Sequence, residues 1–216
     1  MGNEILGLRE SKKLETRRLI AEQAVRLFVE QGFEQTTIAE VAEAARVAKK
    51  TVTNYFPRKE DLALDRHEAF VQSLAHAVLA REEGESMASA LRRQFTTALE
   101  ARDPVAGFSG APFARMVTDS PTLTAGFRDL HDLREAALAA ALADDTAAPN
   151  GHPGFADRTA AALGAAVARL LFDRVQELTL AGRSDDRIAE TVAPEAARAF
   201  DLLAAALGSY PEPARR

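Results

Sequence analysis

"ARVAKKTVTNYFPRKEDL", residues 45–62, places five basic side chains, Arg46, Lys49, Lys50, Arg58 and Lys59, ahead of its first acid, with apolar residues between them and Pro57 near the end. The stretch is either an ordinary wet helix edge or a surface made to lie against phosphate. A helix over about 48–55, ended by the proline, advances roughly 100° per residue. On that wheel Val52 and Phe56 point the same way, toward a core, while Lys50 and Asn54 point almost directly away from it. Thr51 and Tyr55 take one flank, Lys49 and Thr53 the other. The outward face is a row of hydrogen-bonding groups on a helix slim enough for a DNA major groove about 12 Å wide. Lysine there donates to guanine O6 and N7, asparagine pairs with adenine N6 and N7, and threonine contacts bases or phosphates.

Upstream, residues 14–31 read as an amphipathic helix. Ile20, Ala24, Leu27 and Phe28 share one face, while Arg17, Arg18, Glu22 and Glu30 take others. Gly32 supplies a stop. A short second helix starts at Thr36 or Thr37, with Glu40 three residues after Thr37 completing a capping-box pattern, and its apolar face is Ile38, Val41, Ala42 and Ala45. A tight turn at Arg46 and Val47 leads into the basic helix, and a longer helix is expected from Lys59 onward. Short helices joined by tight turns and followed by a connector make a helix-turn-helix arrangement. Tyr55, Lys59 and the start of the second helix at Thr37 then stand where phosphates would pass, and Arg17 and Arg18 are further candidates. A run of Lys and Thr is by itself an ordinary solvated face. Its coincidence with the outward row and the tight turn favours DNA.

The whole chain of 216 residues, 47% hydrophobic and 27% charged, has an ordinary globular composition. It has no cysteine, which removes disulfides and thiolate metal sites. The formal charge of −5 argues against a nucleic-acid binder until it is divided along the chain. Residues 1–66 carry 12 Lys and Arg against 11 Asp and Glu, leaving 15 against 21 for the remainder, and all five lysines lie at or before Lys59. A small basic module on an acidic body is the expected organisation. No apolar run approaches the roughly 20 residues needed to span a bilayer, and "MGNEILGLRE" lacks a signal-peptide pattern, so a cytoplasmic protein without membrane association is expected.

The stretch "GFEQTTIAEVAEAARVAKKTVTNYFPRKEDL", Gly32–Leu62, closely resembles the N-terminal DNA-binding domain of TetR-family one-component transcriptional regulators. The matches are Gly32-Phe33, Thr36-Thr37-Ile38, Val41-Ala42, Ala45, Val47, Thr51-Val52, Tyr55-Phe56 and Lys59 with Leu62, and "LIAEQAVRLF" extends them through the first helix. The resemblance implies an all-α homodimer with a helix-turn-helix domain over 1–58 and a larger helical ligand-binding and dimerisation domain over 59–216. It further implies a near-palindromic double-stranded operator, Lys49 and Lys50 approaching bases, and Thr37, Tyr55 and Lys59 holding phosphates. Repression relieved by a small molecule is the expected mode. This sequence departs from the family at three places: Arg46 stands where the turn usually has Gly, Ala48 where a Ser usually caps the basic helix, and Thr53 where an aromatic is common.

The body also reads as helical, over 87–103, 113–120, 121–145 with Ser120 as cap, 155–182 and about 195–208, with a Pro/Gly-rich loop at 146–154 and no strand pattern. The helix over 155–182 is apolar around much of its circumference, through Ala160, Ala161, Leu163, Ala165, Ala166, Val167, Leu170, Leu171 and Val175. Such a helix is covered on more than one side, which makes it and the Ala/Leu-rich helix over 195–208 the expected four-helix dimer interface. Candidate ligand-contacting residues are Phe70, His76, Phe108, Phe113, Met116, Phe127, His131, Phe172 and Gln176. Arg115 joins them, since an arginine in the apolar "FARMV" calls for an anionic partner. A faint similarity of this half to regulators responding to fatty acyl thioesters implies an apolar or acyl-thioester effector.

Catalysis finds little support. The histidines at 67, 76, 131 and 152 have no metal-ligand spacing, no phosphate-cradling glycine loop is present, and "GFSG" at 107–110 is one residue short of a nucleophile elbow and follows no strand. No catalytic residue, metal or cofactor is expected. The rival from another class is a helical protein-interaction adaptor that keeps the three-helix module without specific DNA binding.

Overall fold

In the computed structural model the chain is a succession of helices, with no strand among the described residues, 2–65, 67–145, 152–208 and 210. Two compact units divide it: residues 1–65 with 115–126, and residues 66–114 with 127–216.

The first unit opens with α1, Gly2–Gln31, which starts a dozen residues earlier than the apolar periodicity requires. Between Arg9 and Gln31 the sequence has no Pro or Gly, so helix propensity carries α1 beyond its buried face. That face is Ile20, Ala24, Leu27 and Phe28. Gly32 ends it at φ +93°, donating its N–H to Phe28 O at 3.0 Å. A side chain there would strain the backbone. The short α2, Ile38–Ala44, and α3, Lys49–Tyr55, follow, burying Val41 and Ala42 from one and Val52 from the other.

The long helix expected from Lys59 is instead the single turn α4, Glu60–Ala63, followed after a break by α5, His67–Leu79. Leu62 and Leu64 are both buried. Side chains two apart on a helix point to nearly opposite sides, so burying both in one small core requires the helix to stop between them. The same unit contains the turn at Ser120. Its Oγ donates to Glu34 Oε1 at 2.7 Å and accepts from Leu123 N–H at 3.2 Å, and Leu123 is fully buried.

The second unit is built from α5, α6 (Met87–Glu100), a 3₁₀ turn (Pro104–Ala106), the start of α7 (Ala111–Asp119), most of α8 (Pro121–Asp145), α9 (Phe155–Leu180) and α10 (Asp185–Ala206). Its core gathers Leu74, Leu91, Phe95, Leu138, Leu142, Val175, Ile188 and Phe200. At Gly164 of α9 an added Cβ would lie 2.6 Å from Met87 Cε and 2.8 Å from Leu91 Cδ1, so the ends of these two flexible side chains would have to shift to admit it. Of the loop expected over 146–154, residues 146–151 lie outside the described residues.

The last helix, expected over about 195–208, begins ten residues earlier and runs through Pro194. Ile188, Val192, Ala196, Phe200 and Leu203 recur every three or four residues and are all buried. That stripe holds the helix through a proline on its exposed side, where water can satisfy the carbonyl the proline leaves unpaired.

Candidate nucleic-acid interface and aromatic cluster

Val52 and Phe56 anchor α3 inward, at 0% and 1% exposure, while Lys49, Lys50, Thr53 and Asn54 are exposed and Thr51 and Tyr55 half-buried. The outward row expected from the wheel is thus turned to solvent. Three arginines of this unit are paired within it, Arg18 with Glu22 at 3.4 Å, Arg26 with Glu30 at 2.9 Å and Arg58 with Asp61 at 2.9 Å, while exposed Lys12, Lys13 and Arg115 have no such pair among the described residues. Among the described residues, Arg46, Lys49 and Lys50 have no carboxylate within ion-pair distance. Two lysines in the first turn of a helix also oppose its dipole, which favours anions there. Local structure gains nothing from them, and an external polyanion would relieve both.

Helix α3 is held at its far end by Arg17. Its Nε pairs with Asp65 Oδ1 at 2.6 Å, its Nη1 donates to Tyr55 O at 3.0 Å, and the guanidinium carbon lies 4.4 Å from the Phe56 ring centroid. Arg17 therefore satisfies a carbonyl at the end of α3, and its guanidinium is committed inside the unit; Arg18 is exposed. Thr37 closes the capping box of α2, its N–H donating to Glu40 Oε2 at 2.7 Å while its Oγ1 accepts from Glu40 N–H at 3.3 Å. The Thr37 backbone hydrogen bond, then its side-chain one, holds the Glu40 carboxyl below the usual range. Thr36 is buried and donates instead to Gly32 O at 2.8 Å. Lys59 is half-buried, with Nζ 3.2 Å from Glu34 O and 4.4 Å from the Phe33 ring centroid, so a phosphate there would share an ammonium already anchored to the protein.

The turn keeps its left-handed residue. Arg46 sits at φ +54°, a region an L side chain enters at a cost of about 1–2 kcal/mol. Ala48 is the N-cap of α3 and makes no side-chain cap bond.

Residues 20–65 match the sequence pattern described as bacterial regulatory proteins, tetR family. The match lies wholly within the first unit. It is 32% identical over 142 residues to the HTH-type transcriptional regulator TcmR of Streptomyces glaucescens, an alignment covering 63% of this chain and 63% of that protein. The chain thus spans less than two thirds of the length of that relative. Two solved structures share the fold. NalD of Pseudomonas aeruginosa, the secondary repressor of the MexAB-OprM multidrug efflux pump, has TM-score 0.54 and 19% identity over 86% of this chain and 96% of its own. FadR of Thermus thermophilus, a TetR-family transcriptional repressor in complex with lauroyl-CoA, has TM-score 0.51 and 22% identity over 93% and 98%.

In the second unit five of the ligand candidates form one cluster. Phe70 lies edge-on to His131 at 5.2 Å and to Phe172 at 5.5 Å, His131 and Phe172 are 5.4 Å apart, and Phe127 joins Phe172 at 6.3 Å and Phe113 at 6.4 Å. The other candidates lie elsewhere. Phe108 belongs to the main core, His76 is exposed, and Gln176 Nε2 donates to Gly107 O and to Ser109 Oγ. Arg115 is exposed, so water solvates the charge that was expected to need an anion; Met116 is buried, and both belong to the 115–126 segment of the first unit.

The buried arginine is Arg134, 3% exposed and not among the candidates. Its Nε donates to Ser73 Oγ at 2.9 Å, Ser73 in turn donates to Phe70 O at 2.7 Å, and the guanidinium lies 4.4 Å from the Phe70 ring centroid. Burial pulls its pKa down to about 10, so it stays charged at neutral pH, and among the described residues no carboxylate pairs with it. His131 is pushed to about 4, first by burial and then by Arg134 and Arg169, and is neutral at pH 7. A signal for Arg134 was in the sequence: Phe127, His131, Arg134, Leu138 and Leu142 recur every three or four residues, so the arginine falls on the inward stripe of α8.

Helix α9 divides its apolar residues between two sides. Ala160, Ala161, Ala165, Leu171 and Val175 are buried, whereas Leu163, Ala166 and Leu170 are exposed, Leu170 at 69%, and Leu202 of α10 is exposed at 73%.

Proposed function

We propose that the protein is a ligand-responsive transcriptional regulator, most simply a repressor, that binds a near-palindromic DNA operator as a homodimer and is released by a small molecule. The observation that carries this reading is the outward face of α3, where Lys49, Lys50, Thr53 and Asn54 stand exposed on an inwardly anchored helix and the two lysines have no ion-pair partner among the described residues. Lys50 and Asn54 read base edges, with Lys49, Thr51 and Thr53 beside them, while Thr37, Tyr55 and Lys59 meet phosphates. The name of TcmR and the repressor function of NalD and FadR support it. Exposed Leu163, Leu170 and Leu202 supply the dimer face, which unpaired would leave large apolar side chains in water. Among the described residues no helix is long and apolar enough to cross a membrane, in keeping with a cytoplasmic regulator.

The test is binding to DNA from around the protein's own coding region across a salt series. Specific binding that falls steeply with salt is expected. Lys50→Ala should cost about 1–3 kcal/mol and relax base preference, whereas Lys59→Ala should weaken all sequences alike. Weak, sequence-independent binding would favour the protein-interaction adaptor. In sedimentation, Leu163→Glu with Leu170→Glu should convert dimer to monomer, and an unchanged dimer would move the interface elsewhere.

A further inference from the structure

We propose that the effector is a planar aromatic molecule carrying a carboxylate, held by Arg134 and received among Phe70, His131 and Phe172. This rests on the reading of the chain as a ligand-responsive regulator and names the chemistry of its ligand. A cation left with only a sliver of solvent contact and no anion is costly, and a leucine would fill this place on α8 more cheaply. The guanidinium is also oriented. Ser73 takes Nε and Phe70 covers one face, which leaves the two terminal nitrogens as a fork that matches the two oxygens of a carboxylate. No sealed side-chain nitrogen or oxygen lacks a partner among the described residues, so those terminal nitrogens keep contact with solvent.

The walls favour a ring. Phe70, His131 and Phe172 meet edge to face at 5.2–5.5 Å, the spacing at which another aromatic ring can replace one member of the set. Neutral His131 adds an N–H without a second charge. The cluster is closed in this structure, and its half-buried members, Phe113 and Phe127, are the ones whose displacement admits a ligand. The open grooves of this unit suit an anion poorly. One of about 370 Å³ is lined by Asp132 and Glu135 beside Arg158; another of about 500 Å³ has exposed Arg158 with Phe155 and Leu163 in its lining and no buried cation, and lies on the face assigned to the dimer.

The experiment is calorimetric titration of the full chain with 2-naphthoate, 2-naphthamide, decanoate and lauroyl-CoA. Naphthoate should bind at least about 10-fold more tightly than the amide, because only the acid offers a charge-assisted pair. Arg134→Met should lower naphthoate affinity about 10- to 100-fold, and Arg134→Lys, which keeps the charge without the fork, by less. If Arg134→Met fails to fold, the acid and amide on the unaltered protein still decide. Equal binding of acid and amide, tighter binding of decanoate or lauroyl-CoA than of naphthoate, or no binding of any probe overturns the proposal. Operator binding by the unliganded protein is measured alongside. Specific DNA binding without naphthoate binding defeats this inference alone, whereas naphthoate binding by a protein indifferent to DNA sequence defeats the regulator and leaves the site.

Discussion

Lys50 on α3 and Arg134 on α8 are both cations without a carboxylate partner among the described residues, and they mean different things. Lys50 is wet, so its charge costs little to leave alone, and its significance comes from the company it keeps: Asn54 beside it, Val52 and Phe56 behind it, a left-handed turn before it. Arg134 is dry. A buried charge has to be compensated by something, so its significance comes from the energy of its position. The first kind of site is found by pattern and the second by burial.

The buried side of this contrast is open to the larger test. His131 lies in the same cluster, and its folded-state pKa of about 4 is depressed below the ordinary 6.5. The unfolded chain therefore takes up a proton near pH 6.5 that the folded protein refuses until about pH 4. Stability from this group is complete above pH 6.5, is lost as pH falls toward 4, and amounts to on the order of 3 kcal/mol. In urea unfolding at pH 7.5 and 4.5, His131→Phe, which keeps the ring and cannot take the proton, should lose about 2–3 kcal/mol less than the unaltered protein. Equal losses would mean that the ring is hydrated, and the aromatic cluster open, in solution.

On the exposed side the question is what keeps the α3 face where it is. Arg17→Ala removes the ion pair to Asp65, the hydrogen bond to Tyr55 O and the contact with the Phe56 ring. Because the pair is partly solvated, the expected loss is about 1–2 kcal/mol in the stability of the first unit, seen as a lower melting temperature. If Arg17 met DNA instead, the substitution would leave stability alone and lower only DNA affinity.

The two regions were also unequally legible. In the first unit the pattern of Val52, Phe56, Lys50 and Asn54 gave the orientation of α3, and Thr37 with Glu40 gave the start of α2, because each is a relation between residues close in sequence. Arg17, a further candidate for phosphate by sequence, is engaged within the unit, and its partners Tyr55 and Asp65 lie 38 and 48 residues away, beyond the reach of a local pattern. The break after α4 was missed because Leu64 is apolar, like any helix residue, and only its burial beside Leu62 forbids the helix. In the second unit five aromatic candidates converge, and the buried cation beside them is Arg134, not the candidate Arg115. Apolar neighbours in sequence drew attention to Arg115, while the stripe along α8 that buries Arg134 spans four turns.

The smallest expected effects lie at the two places where this chain departs from the family around its turn. Ala48→Ser supplies α3 with the side-chain cap it lacks, and should raise the melting point of the first unit by the equivalent of about 1 kcal/mol. Arg46→Gly has two opposed consequences. It relieves a left-handed arginine, worth about 1–2 kcal/mol, and it gives the unfolded chain extra freedom, worth about 0.5–1 kcal/mol against folding. A net gain of about 0–1.5 kcal/mol is expected for stability. For DNA the sign reverses, because Arg46 is an exposed cation next to the α3 face, and its loss should flatten the salt dependence by about one phosphate contact. A variant that gained stability and kept its full salt slope would show that the arginine contributes nothing to DNA, and that its strain is simply tolerated.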